Sequence, residues 1–234
     1  MTIDIKYLDK FLNVTSKAAI ASSFQLGKKD KIAADKAAVD SMRAELNKID
    51  MTGEIVIGEG TLDNAPMLFT GEKLGTKKGP KFDIAVDPLE GTKFTANGEP
   101  NAFSVLAISE KGGLLSAPDT YMDKIAIGPG YPEGIISLDA APADNVESIA
   151  KEKGVNPREI GVCILDRERH TKHIDSVRRT GASVHQIQDG DVAGVIATTD
   201  PTTTNIDMYI GIGGAPEGVL AAAALKCIGG QMQS

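Results

Sequence analysis

Tryptophan is absent, and aromatic residues make up only 4% of the 234 positions. So few flat rings exclude the stacking platform of a single-stranded nucleic-acid binder. Positive charge is also short: 25 Lys and Arg stand against 32 Asp and Glu, a formal net charge of −7. That balance argues against nucleic acid and anionic membranes as general partners. It leaves an anionic substrate open, because bound cations can reverse a local field. No apolar run is long enough to span a bilayer, and Met1 to Lys10 lacks a signal-peptide core, so a cytoplasmic protein is expected. Cysteine is limited to Cys163 and Cys227, in an apolar and an alanine-rich run. Both are expected to be small buried hydrophobes in a reducing compartment, not a disulfide.

What is present reads as alternating helices and strands. Tyr7, Phe11, Val14, Ala18 and Phe24 recur at helical spacing, with Gly27 as the stop. A second helix is expected from Asp35, as N-cap, to Ile49. Strands are expected at 54–57, 83–87 (stopped by Pro88), 102–109, 125–127, 135–138, 162–165, 183–187 and 206–210, and helices near 144–153, 171–180, 190–197 and 217–228. Alternation of this kind argues for α/β or layered α+β architecture. The Gly128-Pro129-Gly130 and Pro132-Glu133-Gly134 clusters suggest a boundary near 130–136, giving domains of 1–133 and 134–234. The last residues, 229–234, follow a helix with no closing element, which suggests a shortened reading frame.

Carboxylates recur where strands end. Glu59 lies between Gly58 and Gly60 after Ile55-Val56-Ile57; Asp87 follows Ile84-Ala85-Val86; Glu217 lies between a strand and a helix in Gly213-Gly214-Ala215-Pro216-Glu217-Gly218. Such ends border the crevice where α/β proteins bind ligands. One acid there is ordinarily a cap or turn residue, but three beside glycine or proline suit a hard divalent cation. Two such cations about 3.5–4 Å apart can clamp a phosphoryl oxygen and generate a hydroxide nucleophile. In Asp87-Pro88-Leu89-Glu90-Gly91-Thr92, Pro88 sharpens a turn, Gly91 admits close backbone approach, and a helix starting there would offer free N–H groups to phosphate. The same residues also suit a plain Asp-Pro turn with a Thr cap.

Val86-Asp87-Pro88-Leu89-Glu90-Gly91-Thr92 resembles the metal-binding signature of the lithium-sensitive, metal-dependent phosphatase superfamily. With Glu at position 90 it looks like the class II, bacterial type of fructose-1,6-bisphosphatase. The blocks Ile57-Gly58-Glu59-Gly60, Asp63-Asn64-Ala65-Pro66-Met67-Leu68, Ala117-Pro118-Asp119-Thr120-Tyr121-Met122 and Gly211 to Gly218 agree. The resemblance implies a layered α/β/α/β/α sandwich of the sugar phosphatase type, its second domain incomplete, since members usually continue for roughly another hundred residues. It implies Mg²⁺ or Mn²⁺ as cofactor, held by Asp35, Glu59, Asp87, Glu90 and Glu217. Asp63 and Thr92 are implied near the attacking water. Glu90, Gly91 and Thr92 are implied at the scissile phosphate, Tyr121 and Gly214 at the substrate, Arg167 and Arg169 at the other phosphate, and Asp189 and Asp191 at sugar hydroxyls. Arg167 stands where the pattern often has Lys.

The implied reaction is hydrolysis of the 1-phosphate of fructose 1,6-bisphosphate by a homo-oligomer, dimer or tetramer. Sedoheptulose 1,7-bisphosphate, another sugar or inositol phosphate, or an inactive binding protein are the alternatives. Three smaller signals point elsewhere. His170 and His173 lack a third soft ligand and read as surface histidines; His185 reads as a strand residue with a local partner. The glycines at 211–218 invite a dinucleotide reading, which fails because Pro216 occupies the third glycine position.

Overall fold

The computed structural model describes residues 3–60 and 67–234. The chain divides into two compact units, 1–119 and 120–234. The Gly-Pro clusters at 128–134 therefore fall inside the second unit.

In the first unit a single 3₁₀ turn, Ile5–Tyr7, leads into α1 (Leu8–Ser23) and α2 (Lys31–Leu46). The strands β1 (Thr52–Ile57), β2 (Lys73–Leu74), β3 (Lys81–Glu90) and β4 (Phe103–Glu110) form a sheet in the order β2-β1-β3-β4, with α3 (Thr92–Asn97) between β3 and β4. Ala18 on α1 and Ala34 and Ala38 on α2 are fully buried, and such small side chains suit close helix packing. Val14, Met42 and Leu46 complete the apolar stripe and pack in one cluster with Ile55, Phe82, Ile84 and Val86 of the sheet. Tyr7 meets Phe82 edge-on, with ring centroids 5.3 Å apart, a favoured aromatic geometry.

Two expectations need correction here. The second helix starts at Lys31, because Asp30 caps it: its carboxylate accepts from the Ala33 amide at 2.9 Å. Asp35 consequently sits one turn inside the helix. The strand expected to stop at Pro88 continues to Glu90. Asp87 lies opposite Val105 and Glu90 opposite Phe103, so β3 gains one residue over β4 in a bulge. Pro88 falls in that bulge, beyond the last residue of β3 that pairs with β1, where a missing N–H is tolerated.

In the second unit β5 (Tyr121–Ile127), β6 (Gly161–Leu165), β7 (Ser183–Ile187), β8 (Met208–Gly214) and β9 (Gln231–Gln233) form a sheet in the order β7-β6-β8-β5-β9. β6, β7 and β8 are parallel; β5 runs against β8 and β9. The helices are α4 (Pro142–Lys153), α5 (Thr171–Arg179), α6 (Asp191–Ala197), the short α7 (Pro201–Thr204) and α8 (Ala215–Ile228), with 3₁₀ turns at Pro157–Glu159 and Glu168–His170. Alternate strand residues feed two cores, as the two-residue period requires. Ile125, Ile127, Val162, Ile164, Met208 and Ile210 pack with Val146 and Ile149 of α4 and with Ile174 and Val177 of α5. Their neighbours Ala126, Cys163 and Tyr209 pack with Val195 of α6 and with Ala221 and Leu225 of α8. A sheet covered on both faces by helices is the α/β arrangement the alternation predicts.

Residues 135–138 form no strand, contrary to the reading from sequence. Side-chain amides take their backbone groups: Asn145 Oδ1 accepts from Ser137 N at 2.8 Å, and Gln233 Oε1 from Leu138 N at 3.0 Å. Gln233 Nε2 returns a bond to Ile136 O at 2.9 Å. Residues 231–233, read as a loose tail, are the edge strand β9. Cys163 is buried as expected, but Cys227 faces outward on α8.

Candidate functional site

β1 and β3 are parallel, so their C-terminal ends share one edge of the first sheet. Ile57, the last residue of β1, pairs with Ala85; Glu59 follows two residues beyond β1, and Asp87 lies two residues further along β3. The parallel pairing therefore directs toward one edge of the sheet the two acids that sequence reading singled out 28 positions apart. The Glu59 loop is fixed by backbone: Glu59 N donates to Leu68 O at 3.0 Å, and Thr70 N to Gly60 O at 3.0 Å. Gly58 permits this contact, since a Cβ there would lie 1.9 Å from the Leu68 carbonyl.

Burial pushes the Glu59 carboxyl up to about 7, and the negative charge of Asp35 pushes the same way. Burial also holds the Asp35 carboxyl above its ordinary value. Two carboxyls whose ionisation burial disfavours, one of them further opposed by its neighbour's charge, offer hard oxygens suited to a divalent cation. Asp87 accepts from the Leu89 amide at 3.1 Å, a bond that folds the bulge back on itself. Glu90 is 5% exposed. Gly91 is left-handed (φ +78) and caps α3; its carbonyl accepts from Phe94 N at 2.9 Å and Thr95 N at 3.4 Å, and Thr92 opens the helix. Asp63 lies outside the described residues. Among the described residues no group of three or more His, Cys, Asp and Glu is drawn together tightly enough to hold a metal ion.

In the second unit the residues singled out line the C-terminal edge of the parallel strands. Arg167 and Arg169 follow β6, Asp189 and Asp191 follow β7, and Gly214 and Glu217 close β8 and open α8. Tyr121, 71% exposed, joins them because it begins the antiparallel β5 opposite Gly214. Arg167 is anchored on the carbonyls of Asp166 and Gln188, each at 2.8 Å. Arg169 donates to Ile212 O at 2.8 and 3.2 Å and stacks over Tyr121, 5.0 Å from the ring centroid. Asp189 accepts from Gly190 N at 3.2 Å. Asp191 is 6% exposed and bonds the buried ammonium of Lys124 at 2.6 Å. Gly213 makes room for that pair, since a Cβ there would stand 2.2 Å from Asp191 Oδ2. Glu217 is in the first turn of α8, where a negative charge is favoured. At Gly214 a Cβ would lie 1.9 Å from the Glu217 carboxylate.

Sequence reading missed Lys124, whose alternation within β5 marks it for the interior, and it placed His170 on the surface. His170 is in fact fully buried, bonded through Nδ1 to Leu165 O and through Nε2 to Ile212 N. His185 lies on β7 with Ser183 3.3 Å away, as expected. Among the described residues no helix is long and apolar enough to cross a membrane.

Comparison with known proteins places these blocks. The family of bacterial fructose-1,6-bisphosphatase, glpX-encoded, matches residues 6–234. Fructose-1,6-bisphosphatase 1 class 2 of Escherichia coli (strain K12) is 48% identical over 223 residues, covering 95% of this chain and 66% of that protein. The class 2 enzymes of Escherichia coli O6:H1 and Shigella flexneri are similar to the same extent. The chain thus spans 66% of the length of these relatives. With a family match running from residue 6 to residue 234, the chain belongs to the bacterial, glpX-encoded fructose-1,6-bisphosphatase family.

Proposed function

We propose that this chain hydrolyses the 1-phosphate of fructose 1,6-bisphosphate, giving fructose 6-phosphate and phosphate, with Mg²⁺ or Mn²⁺ as cofactor. The observation that carries the reading is the Asp35–Glu59 relationship, with Asp87 carried toward the same edge of the sheet by the parallel strand β3. Carboxyls that resist ionisation side by side are relieved by a divalent cation, which supplies charge neutralisation and an activated water when bound. Asp35, Glu59, Asp87, Glu90 and Glu217 are its proposed ligands.

The rest of the chemistry belongs to the protein's own groups. Glu90, Gly91 and Thr92 receive the scissile phosphate, and the Thr92 hydroxyl orients the water. Asp63 shares that task and accepts its proton. Arg167 and Arg169 hold the distal phosphate, a task suited to planar guanidinium forks. Their anchoring on the carbonyls of Asp166, Gln188 and Ile212 supports this role, because it fixes the forks before substrate arrives. Tyr121 and Gly214 contact the substrate, and Asp189 and Asp191 its sugar hydroxyls. The protein works in the cytoplasm as a homo-oligomer.

The test is phosphate release from fructose 1,6-bisphosphate with added Mn²⁺ or Mg²⁺, comparing the unaltered chain with Glu59→Gln. Loss of about 10²-fold or more in kcat is expected, the scale on which positioned electrostatic groups act. Unaltered turnover in Glu59→Gln removes the metal assignment.

A further inference from the structure

β6 and β8 are paired at Val162 with Met208 and at Cys163 with Tyr209. Extended by two residues, that register sets Leu165 opposite Gly211 and aims the Leu165 carbonyl at the Ile212 amide, as in any parallel ladder. The direct bond is not made. The His170 imidazole stands between the two groups, with Nδ1 2.7 Å from Leu165 O and Nε2 2.8 Å from Ile212 N. The Ile212 amide can only donate, so Nε2 is the lone-pair nitrogen and Nδ1 carries the hydrogen it gives to Leu165. A neutral ring of one tautomer thus replaces one rung of the ladder and spreads the strand ends. Gly211 lets β8 run close against the ring: a Cβ there would lie 3.2 Å from Nε2.

The spread has an address. Ile212 is held at both ends, its N–H by His170 and its carbonyl by Arg169. Arg169 lies over Tyr121. A chain of contacts therefore runs from the enclosed ring, through Ile212, to two exposed side chains at the ligand-binding edge. We infer that His170 is a positioning residue, a strand spacer that sets Ile212 so that Arg169, stacked on Tyr121, is presented in fixed orientation to the distal phosphate of the substrate. Burial, with the charges of Arg169 and His173 nearby, holds its pKa below the usual value, in keeping with a neutral ring. The kinetic consequence rests on the phosphatase reading; the spacer geometry does not.

Two variants and one spectrum test this. His170→Phe keeps the bulk and removes both hydrogen bonds; His170→Gln keeps one donor and one acceptor. His170→Phe is expected to raise KM for fructose 1,6-bisphosphate about tenfold with kcat changed by less than about twofold, the pattern of lost uniform binding. His170→Gln is expected to recover most of that loss. Wild-type KM in His170→Phe, or a fall in kcat with unchanged KM, overturns the positioning role. Long-range proton–nitrogen spectra of the ligand-free chain at neutral pH read the ring directly. The Nδ1–H tautomer for His170 supports the spacer, and the Nε2–H tautomer or an imidazolium overturns it. If the Nδ1–H form is seen in a chain that never turns over the bisphosphate, the phosphatase reading fails and the spacer stands.

Discussion

The negative charge of Asp35, one turn inside α2, bears on the carboxyl of Glu59 beyond β1 and helps push it up to about 7. β3 runs parallel to β1 and carries Asp87 toward the same edge of the first sheet.

This relationship has a definite sign in pH. In the metal-free fold Glu59 keeps a proton that the unfolded chain, with a value near 4.5, gives up. Its contribution to stability is full below about 4.5 and is lost as pH rises through about 7. Cation binding requires the carboxylate and so strengthens across the same window, releasing a proton. The rise in Tm on adding Mn²⁺ should be several-fold larger at pH 8 than at pH 5.5, and Glu59→Gln should flatten the difference.

Removing the neighbouring charge should act in the opposite direction on the metal-free protein. Asp35→Asn lifts the repulsion and should lower the Glu59 pKa, readable by carboxyl carbon NMR. The same variant should weaken the Mn²⁺-induced rise in Tm, since a ligand has gone.

Gly58 should not accept a side chain. Alanine there would drive Cβ into the Leu68 carbonyl at 1.9 Å and into Ile55 Cγ2 at 2.7 Å. A cost of about 1–3 kcal/mol in denaturant unfolding is expected for such overpacking. Gly71→Ala serves as the control: it meets nothing within 4 Å, although its φ of +96 adds some backbone strain.

Lys124→Met should be among the most damaging single changes in the second unit. Lys124 is 1% exposed and its partner Asp191 6% exposed, so the variant leaves an uncompensated buried carboxylate. The expected loss is about 3–5 kcal/mol, and Lys124→Met combined with Asp191→Leu should recover much of it.

The two thiols should separate cleanly. Burial pushes the Cys163 thiol up to about 12, with the Asp191 charge adding to it, whereas Cys227 is exposed. A thiol-specific chromogenic reagent should label one cysteine quickly in the native chain and the second only on unfolding.

The sequence made some of this plain and hid the rest for identifiable reasons. Period and composition located most helices and strands, and strand-end acids beside glycine marked Glu59 and Asp87, because those signals are local. The reading put the cap of α2 at Asp35, and only the bond from the Ala33 amide to the Asp30 carboxylate shows that the helix starts earlier. Pro88 normally stops a strand, yet a bulge outside the β1 pairing accommodates it. Residues 135–138 are apolar enough for a strand but draw their partners from Asn145 and Gln233, the latter nearly a hundred positions away. His170 reads as a polar surface residue until the splayed ends of β6 and β8 supply its two partners.

The most direct test of the metal assignment is anomalous diffraction from crystals of the protein grown with Mn²⁺. The expected result is a peak within about 2.0–2.2 Å of carboxylate oxygens of both Asp35 and Glu59, an ordinary bond length for a small hard cation. Strong anomalous peaks confined to places remote from both carboxylates would contradict it.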